Sequence, residues 1–193
     1  MKKSPSAKIA LSGVFLALAL IVSLIENTIP PVVPVLPYAK LGLGNVVLLM
    51  CFIVSGVWQG YAVLVLKCLL SAVFAGNFSM LMWSLPASLA AYTAMTLLYC
   101  TRIFSVAGLS VLGGMLHNAV QIAVAVGIVG AAVAAYLPYM LLAGGIAGLA
   151  TGIICHFVLA FVGRGNPISR DDVYAREPRK EGADVGGGQL PRE

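Results

Sequence analysis

The sequence predicts an all-α membrane protein: a bundle of about six transmembrane helices, both termini cytoplasmic, with a proline-rich outer loop after the first helix. Three observations carry this. Hydrophobic residues make up 60% of the 193 residues and charged residues only 10%, with a mean hydropathy of +0.98. Charged residues alone reach about a quarter of an ordinary soluble chain. A chain this short cannot hide so much apolar surface in a core, so lipid must solvate it. Apolar runs near the roughly 20 residues that cross a bilayer recur along the chain. Finally, Lys and Arg gather on one set of connections.

The expected spans are residues 8–25, 42–57, 60–75, 80–100, 106–133 and 137–162. Lys2, Lys3 and Lys8 before the first span also suit the basic region of a cleaved signal peptide. That run is long for such a peptide and ends at Glu26-Asn27 and prolines, not at small residues, so a helix is the reading. The second and third spans are parted at Trp58-Gln59-Gly60, read as a tight turn with interfacial Trp and Gln. None of the spans alternates polar and apolar residues as barrel strands do.

With the N-terminus inside, 10 of the 12 Lys and Arg residues fall on cytoplasmic segments, and Lys2, Lys3, Lys8, Arg102 and Arg164 suffice to orient the chain. Residues 1–162 form the expected membrane domain. From residue 163 the composition changes: Gly165-Asn166-Pro167 ends the helix, and the mixed-charge tail to residue 193 holds too little apolar surface to fold alone. The four cysteines form no C-x-x-C pair and read as free thiols.

Polar residues inside the spans carry the functional signal. Lys67 lies midway along the third span, where a charge costs on the order of 2.5–3.5 kcal/mol. It must pair, reach a water-filled cavity or snorkel. Glu26, the one acidic residue before the tail, ends the first helix and suits Lys40 across the loop, as an ion pair or as part of a ligand site. Residues 27–40 hold Pro30, Pro31, Pro34 and Pro37 among Val and Leu. Such a segment is too stiff for a helix and too apolar for free solvation; it reads as a lid or as a rigid connector.

In the fifth span His117 and Gln121 share a face, with Asn118 beside them. They suit the wall of a polar cavity or hydrogen bonds between helices. His117 and His156 are too few for a zinc site. Gly144, Gly148 and Gly152 form a ladder for close helix packing, and Gly13 with Ala17 a shorter stripe for packing or for another membrane subunit. No G-x-x-x-x-G-K-[ST] phosphate loop is present, nor an Asp-rich pair to hold magnesium and a diphosphate.

Leu24-Ile25-Glu26-Asn27 ahead of Pro30-Pro31, then Ala39-Lys40-Leu41-Gly42-Leu43-Gly44-Asn45, together with Lys67, His117-Asn118 and Gln121, resemble the family of Gx transporters, also known as heptaprenyl diphosphate synthase component I. The resemblance covers residues 8–162. That family is similar in turn to the substrate-binding components of energy-coupling factor transporters. This implies a six-helix protein that binds a vitamin-like small molecule from outside and relies on a membrane coupling subunit and two ATPases. Gly13 and Ala17 would stand for the coupling motif, although the usual alanine spacing is not cleanly reproduced. The synthase name implies instead a non-catalytic subunit that receives or anchors a prenyl product; an uncoupled scaffold in a larger membrane complex is a third reading.

The combined expectation is an uptake protein of the bacterial cytoplasmic membrane. Glu26, Asn27, Lys40 and Asn45 line its outer entrance, and Lys67, His117, Asn118 and Gln121 its inner cavity. Its expected partners are the bilayer, a small ligand for which Lys67 suits an anionic group, and a membrane coupling subunit with ATPases, with no cofactor, metal, nucleic acid or catalytic residue expected.

Overall fold

The structure, a computed structural model, describes residues 5–28, 40–101 and 103–163. Among them the helices are α1 (Pro5–Thr28), α2 (Asn45–Ser55), α3 (Val57–Phe74), α4 (Ser79–Cys100), α5 (Val106–Val129) and α6 (Leu137–Gly163), with a 3-10 helix, Ala131–Tyr136, before α6. Five spans are long and apolar enough to cross a membrane, and α2 is shorter. The chain is a multi-pass helical membrane protein. The proline-rich loop (residues 29–39) and the tail (164–193) lie outside the described residues.

Three boundaries depart from expectation. First, α2 is not a lipid-facing span. Its 11 residues reach about 16 Å, roughly half of the ~30 Å hydrocarbon core. Ten of the 11 are buried, and α2 touches all five other helices, which makes it the central element of the bundle.

Second, the break between α2 and α3 falls at Gly56, not at Trp58-Gln59-Gly60. Gly56 has φ 111°, and its N–H closes α2 by donating to Phe52 O at 2.9 Å. Only glycine takes such a φ without strain. Gly60 sits inside α3 for a different reason: a Cβ there would run into the Tyr92 ring of α4, whose hydroxyl donates to Val57 O at 2.9 Å. Trp58 is exposed at this end of α3, as an interfacial Trp would be. Third, α5 stops at Val129, where Gly130 takes φ 117° and the 3-10 turn begins.

Around α2 the core is aliphatic and aromatic. Phe52 meets Tyr92 and Tyr99 edge to face, at centroid distances of 6.4 and 5.0 Å, an arrangement favoured by the ring quadrupoles. The outer helix faces carry large apolar residues such as Ile9, Leu142, Ile146 and Phe157, which suit lipid.

The ladder in α6 packs against α5, the most extensive helix pair. A Cβ on Gly144 would lie 2.6 Å from Gly114 O, one on Gly148 2.5 Å from Ser110 O, and one on Gly152 2.8 Å from Ala107 Cα. These neighbours are backbone atoms and cannot swing aside. Gly13 has nothing within 4 Å of its Cβ position, and Ala17 is exposed, so the short stripe in α1 packs on no described part of the chain. Gly148→Ala is therefore expected to lower stability by about 1–3 kcal/mol, while Gly13→Ala leaves it unchanged or slightly raised. Thermal melting of the two variants in one detergent checks the contrast.

Candidate functional site

The site is built where the chain enters α2. Residues 40–44 are not helical, and Gly42 has φ 82°. Three of their backbone donors are met by side chains of other helices. Glu26, near the end of α1, accepts from Gly42 N–H at 2.6 Å and from Leu43 N–H at 3.4 Å through one oxygen, Oε1. Gln121 of α5 accepts from Lys40 N–H at 3.1 Å. Buried backbone groups outside a helix need such partners, most of all in a bundle surrounded by lipid.

The glycines of this segment allow close approach. A Cβ on Gly42 would lie 2.9 Å from both Asn45 Nδ2 and His117 Cδ2, and one on Gly44 2.9 Å from Lys67 Nζ. Larger residues would push these polar side chains away from the segment.

Beneath the segment lies a small polar cavity. Ser23 and Glu26 of α1, Lys40 and Gly42 of the segment, Lys67, Cys68 and Ser71 of α3, Ser84 and Ser88 of α4, and His117 of α5 line it. It encloses about 10 Å3, on the scale of one water. Lys67 lies ten residues from one end of α3 and seven from the other, about 15 and 10 Å along the axis. It is 5% exposed, and among the described residues it makes no hydrogen bond or ion pair. Glu26 and Lys40 share the cavity without a contact ion pair; the Glu26 bonds go to backbone. Burial holds the Lys40 ammonium below the usual lysine range, and the nearby Glu26 carboxylate partly offsets this.

The hydrogen bonds fix the state of His117. Lys40 N–H selects Gln121 Oε1, which leaves the Gln121 Nε2 amide group 3.1 Å from His117 Nε2. An amide N–H only donates, so His117 Nε2 accepts, and the ring proton of a neutral imidazole sits on Nδ1. The ring lies against the Ala87 backbone, yet Nδ1 is buried without a well-formed hydrogen bond. Asn45 Oδ1 and Nδ2 and Ser88 Oγ are also buried and unpartnered. Unmet polar groups in a core are uncommon, and water, an ion or a ligand is one way of satisfying them.

Of the sequence-predicted residues, Glu26, Lys40, Lys67 and His117 meet at the cavity. Gln121 supports His117 and Lys40 from behind it, and Asn45 stands beside Gly42. Asn118 turns to the neighbouring helix, donating from Nδ2 to Met140 O at 2.8 Å, and does not line the cavity. Asn27 is half-buried next to Glu26.

The serine wall is absent from the sequence-based set. Ser23 and Ser71 join α1 to α3 through their hydroxyls at 3.2 Å. Spacing was the available signal: Ser71 follows Lys67 by four residues, Ser88 follows Ser84 by four, and Ser23 precedes Glu26 by three, each pair on one helix face. Among the described residues no three His, Cys, Asp or Glu side chains gather as metal ligands do.

A polar chamber inside a lipid-solvated helix bundle defines the class: a membrane protein with a buried polar site. A model of heptaprenyl diphosphate synthase component I matches residues 15–158, and the chain belongs to that family. No curated protein and no solved structure matches it.

Lys40 also makes stability depend on pH. Its folded pKa is depressed below 10.5, so between the two values the unfolded chain binds more protons and stability rises with pH. The penalty is full below the folded value and gone above the unfolded one. Lys40→Met is expected to melt higher than the parent at neutral pH and to lose part of the alkaline rise. Melting curves of both proteins across about pH 7 to 10 check this.

Proposed function

We propose that the protein is a non-catalytic membrane component that captures a small anionic ligand in this cavity, in the manner of the substrate-binding part of an energy-coupling factor uptake system. One observation supports the reading above the others. Two lysines, Lys40 and Lys67, line one small chamber with a single carboxylate, and that carboxylate already accepts two backbone N–H groups. Burying a lysine in a membrane helix is costly, and an arriving anion removes that cost. His117 and Ser88 supply further hydrogen bonds. The chamber of ~10 Å3 is smaller than such a ligand, so binding requires residues 40–44 to give way.

The bias of Lys and Arg toward one set of connections supports a reading with both ends on the cytoplasmic side of a bacterial membrane and Glu26 and residues 40–44 on the outer side. The outward face of α1, with Gly13 and Ala17, is the surface offered to a coupling subunit that works with ATPases.

The family description favours a second reading, in which the chain is the membrane subunit of a heptaprenyl diphosphate synthase and works beside a catalytic component. There the cavity would face the diphosphate end of a membrane-soluble chain.

Native mass spectrometry of gently purified protein tests the proposal. A co-purifying small anion is expected, with occupancy falling at least about tenfold in Lys67→Ala and His117→Ala, the scale of one lost charged hydrogen bond. Equal occupancy in both variants would falsify the site.

A further inference from the structure

Resting on the reading of the cavity as an anion site, we infer that the group it takes is a single monoanion, a carboxylate on an otherwise neutral or outward-lying molecule, and not a phosphate dianion or diphosphate. The inference comes from charge balance, donor inventory and size.

The charge balance is short. Lys40 and Lys67 contribute two positive charges and Glu26 one negative, and the tautomer set by Gln121 leaves His117 neutral. The chamber therefore carries one uncompensated positive charge. In a low-dielectric interior an unbalanced charge is far more costly than in water. One negative charge closes the balance; a diphosphate with two or three would invert it and bring its excess beside Glu26.

The donors fit the same group. Among the described residues Lys67 makes no hydrogen bond or ion pair, and His117 Nδ1 lies beside the Ala87 backbone at the cavity wall. Ser88 Oγ is unpartnered on the facing helix. Two oxygens can use these donors together. Glu26 Oε1 shows that a carboxylate suits this backbone, since Gly42 and Leu43 hold one there already. Size completes the argument. About 10 Å3 holds one water-sized group, so a carboxylate needs far less widening of the chamber than a diphosphate, which needs several such volumes.

The test uses the full-length protein in lipid nanodiscs. Thermal stabilisation is titrated with sodium propionate and with sodium pyrophosphate at fixed ionic strength and neutral pH. Propionate is expected to reach half-maximal effect at a concentration at least about tenfold lower than pyrophosphate. Glu26→Gln keeps an oxygen for Gly42 N–H and raises the chamber's charge by one, so it is expected to shift the preference toward pyrophosphate. Should that variant fail to fold, Lys40→Gln, which brings the charge to zero, is expected to abolish the propionate effect.

A lower half-point for pyrophosphate in the parent protein, lost in Lys67→Gln, would overturn the monoanion inference while leaving the anion site standing. An unchanged preference in Glu26→Gln, or a propionate effect retained in Lys40→Gln, would overturn it too. Stabilisation by neither anion would remove the anion-site reading itself.

Discussion

The hydrogen bonds from Gly42 and Leu43 to the Glu26 carboxylate are the constraint on which the site depends. The chain must pass from the end of α1 into a helix at the centre of the bundle, and it does so as irregular backbone among apolar helices. Non-helical backbone at membrane depth is tolerated only where protein groups or water satisfy it. Glu26 satisfies two of its donors and Gln121 a third. Apolar residues at these two positions would leave buried N–H groups unpaired, each at about 1–3 kcal/mol.

The remaining geometry follows from that anchoring. Because α2 is short and enclosed, the segment leading into it brings Lys40 and the Gly42-Leu43-Gly44 turn inward, where Lys67, His117 and the serines of α3 and α4 meet it. The two glycines let Asn45, His117 and Lys67 lie against bare backbone. On the other side of the bundle, α5 is held at a fixed distance by the Gly144, Gly148 and Gly152 contacts of α6. That packing sets where His117 and Gln121 stand. Apolar packing thus positions a polar chamber, and the polar bonds close its outer wall.

Much of this was legible in the sequence, for physical reasons. Length and hydropathy delimit the long helices, because lipid imposes both. A lysine inside an apolar span and a His–Gln pair at i, i+4 announce a polar interior, and the chamber contains Lys67 and His117. The rest required tertiary contacts. Gly60 reads as a turn residue until the Tyr92 ring beside it is known, and Gly56 makes the break instead. Asn118 looks like its neighbours in the polar cluster, and only the position of Met140 O reveals its bond to α6. The serines were easiest to miss, since a hydroxyl in an apolar helix commonly bonds the preceding turn, as Ser84 does with Met80 O at 2.8 Å. Residues 42–44 read as the start of a membrane span, and nothing local showed that they bind Glu26.

The central claim is that Glu26 holds residues 40–44 in place as the wall of a buried chamber. Amide hydrogen exchange at Gly42 and Leu43, measured in nanodiscs for the parent protein and Glu26→Ala, tests it most directly. The account predicts slow exchange at both amides in the parent and a large acceleration confined to this segment in the variant, with the centres of α3, α4 and α5 still protected. Fast exchange at both amides in the parent, or protection that survives the loss of the carboxylate, would contradict it.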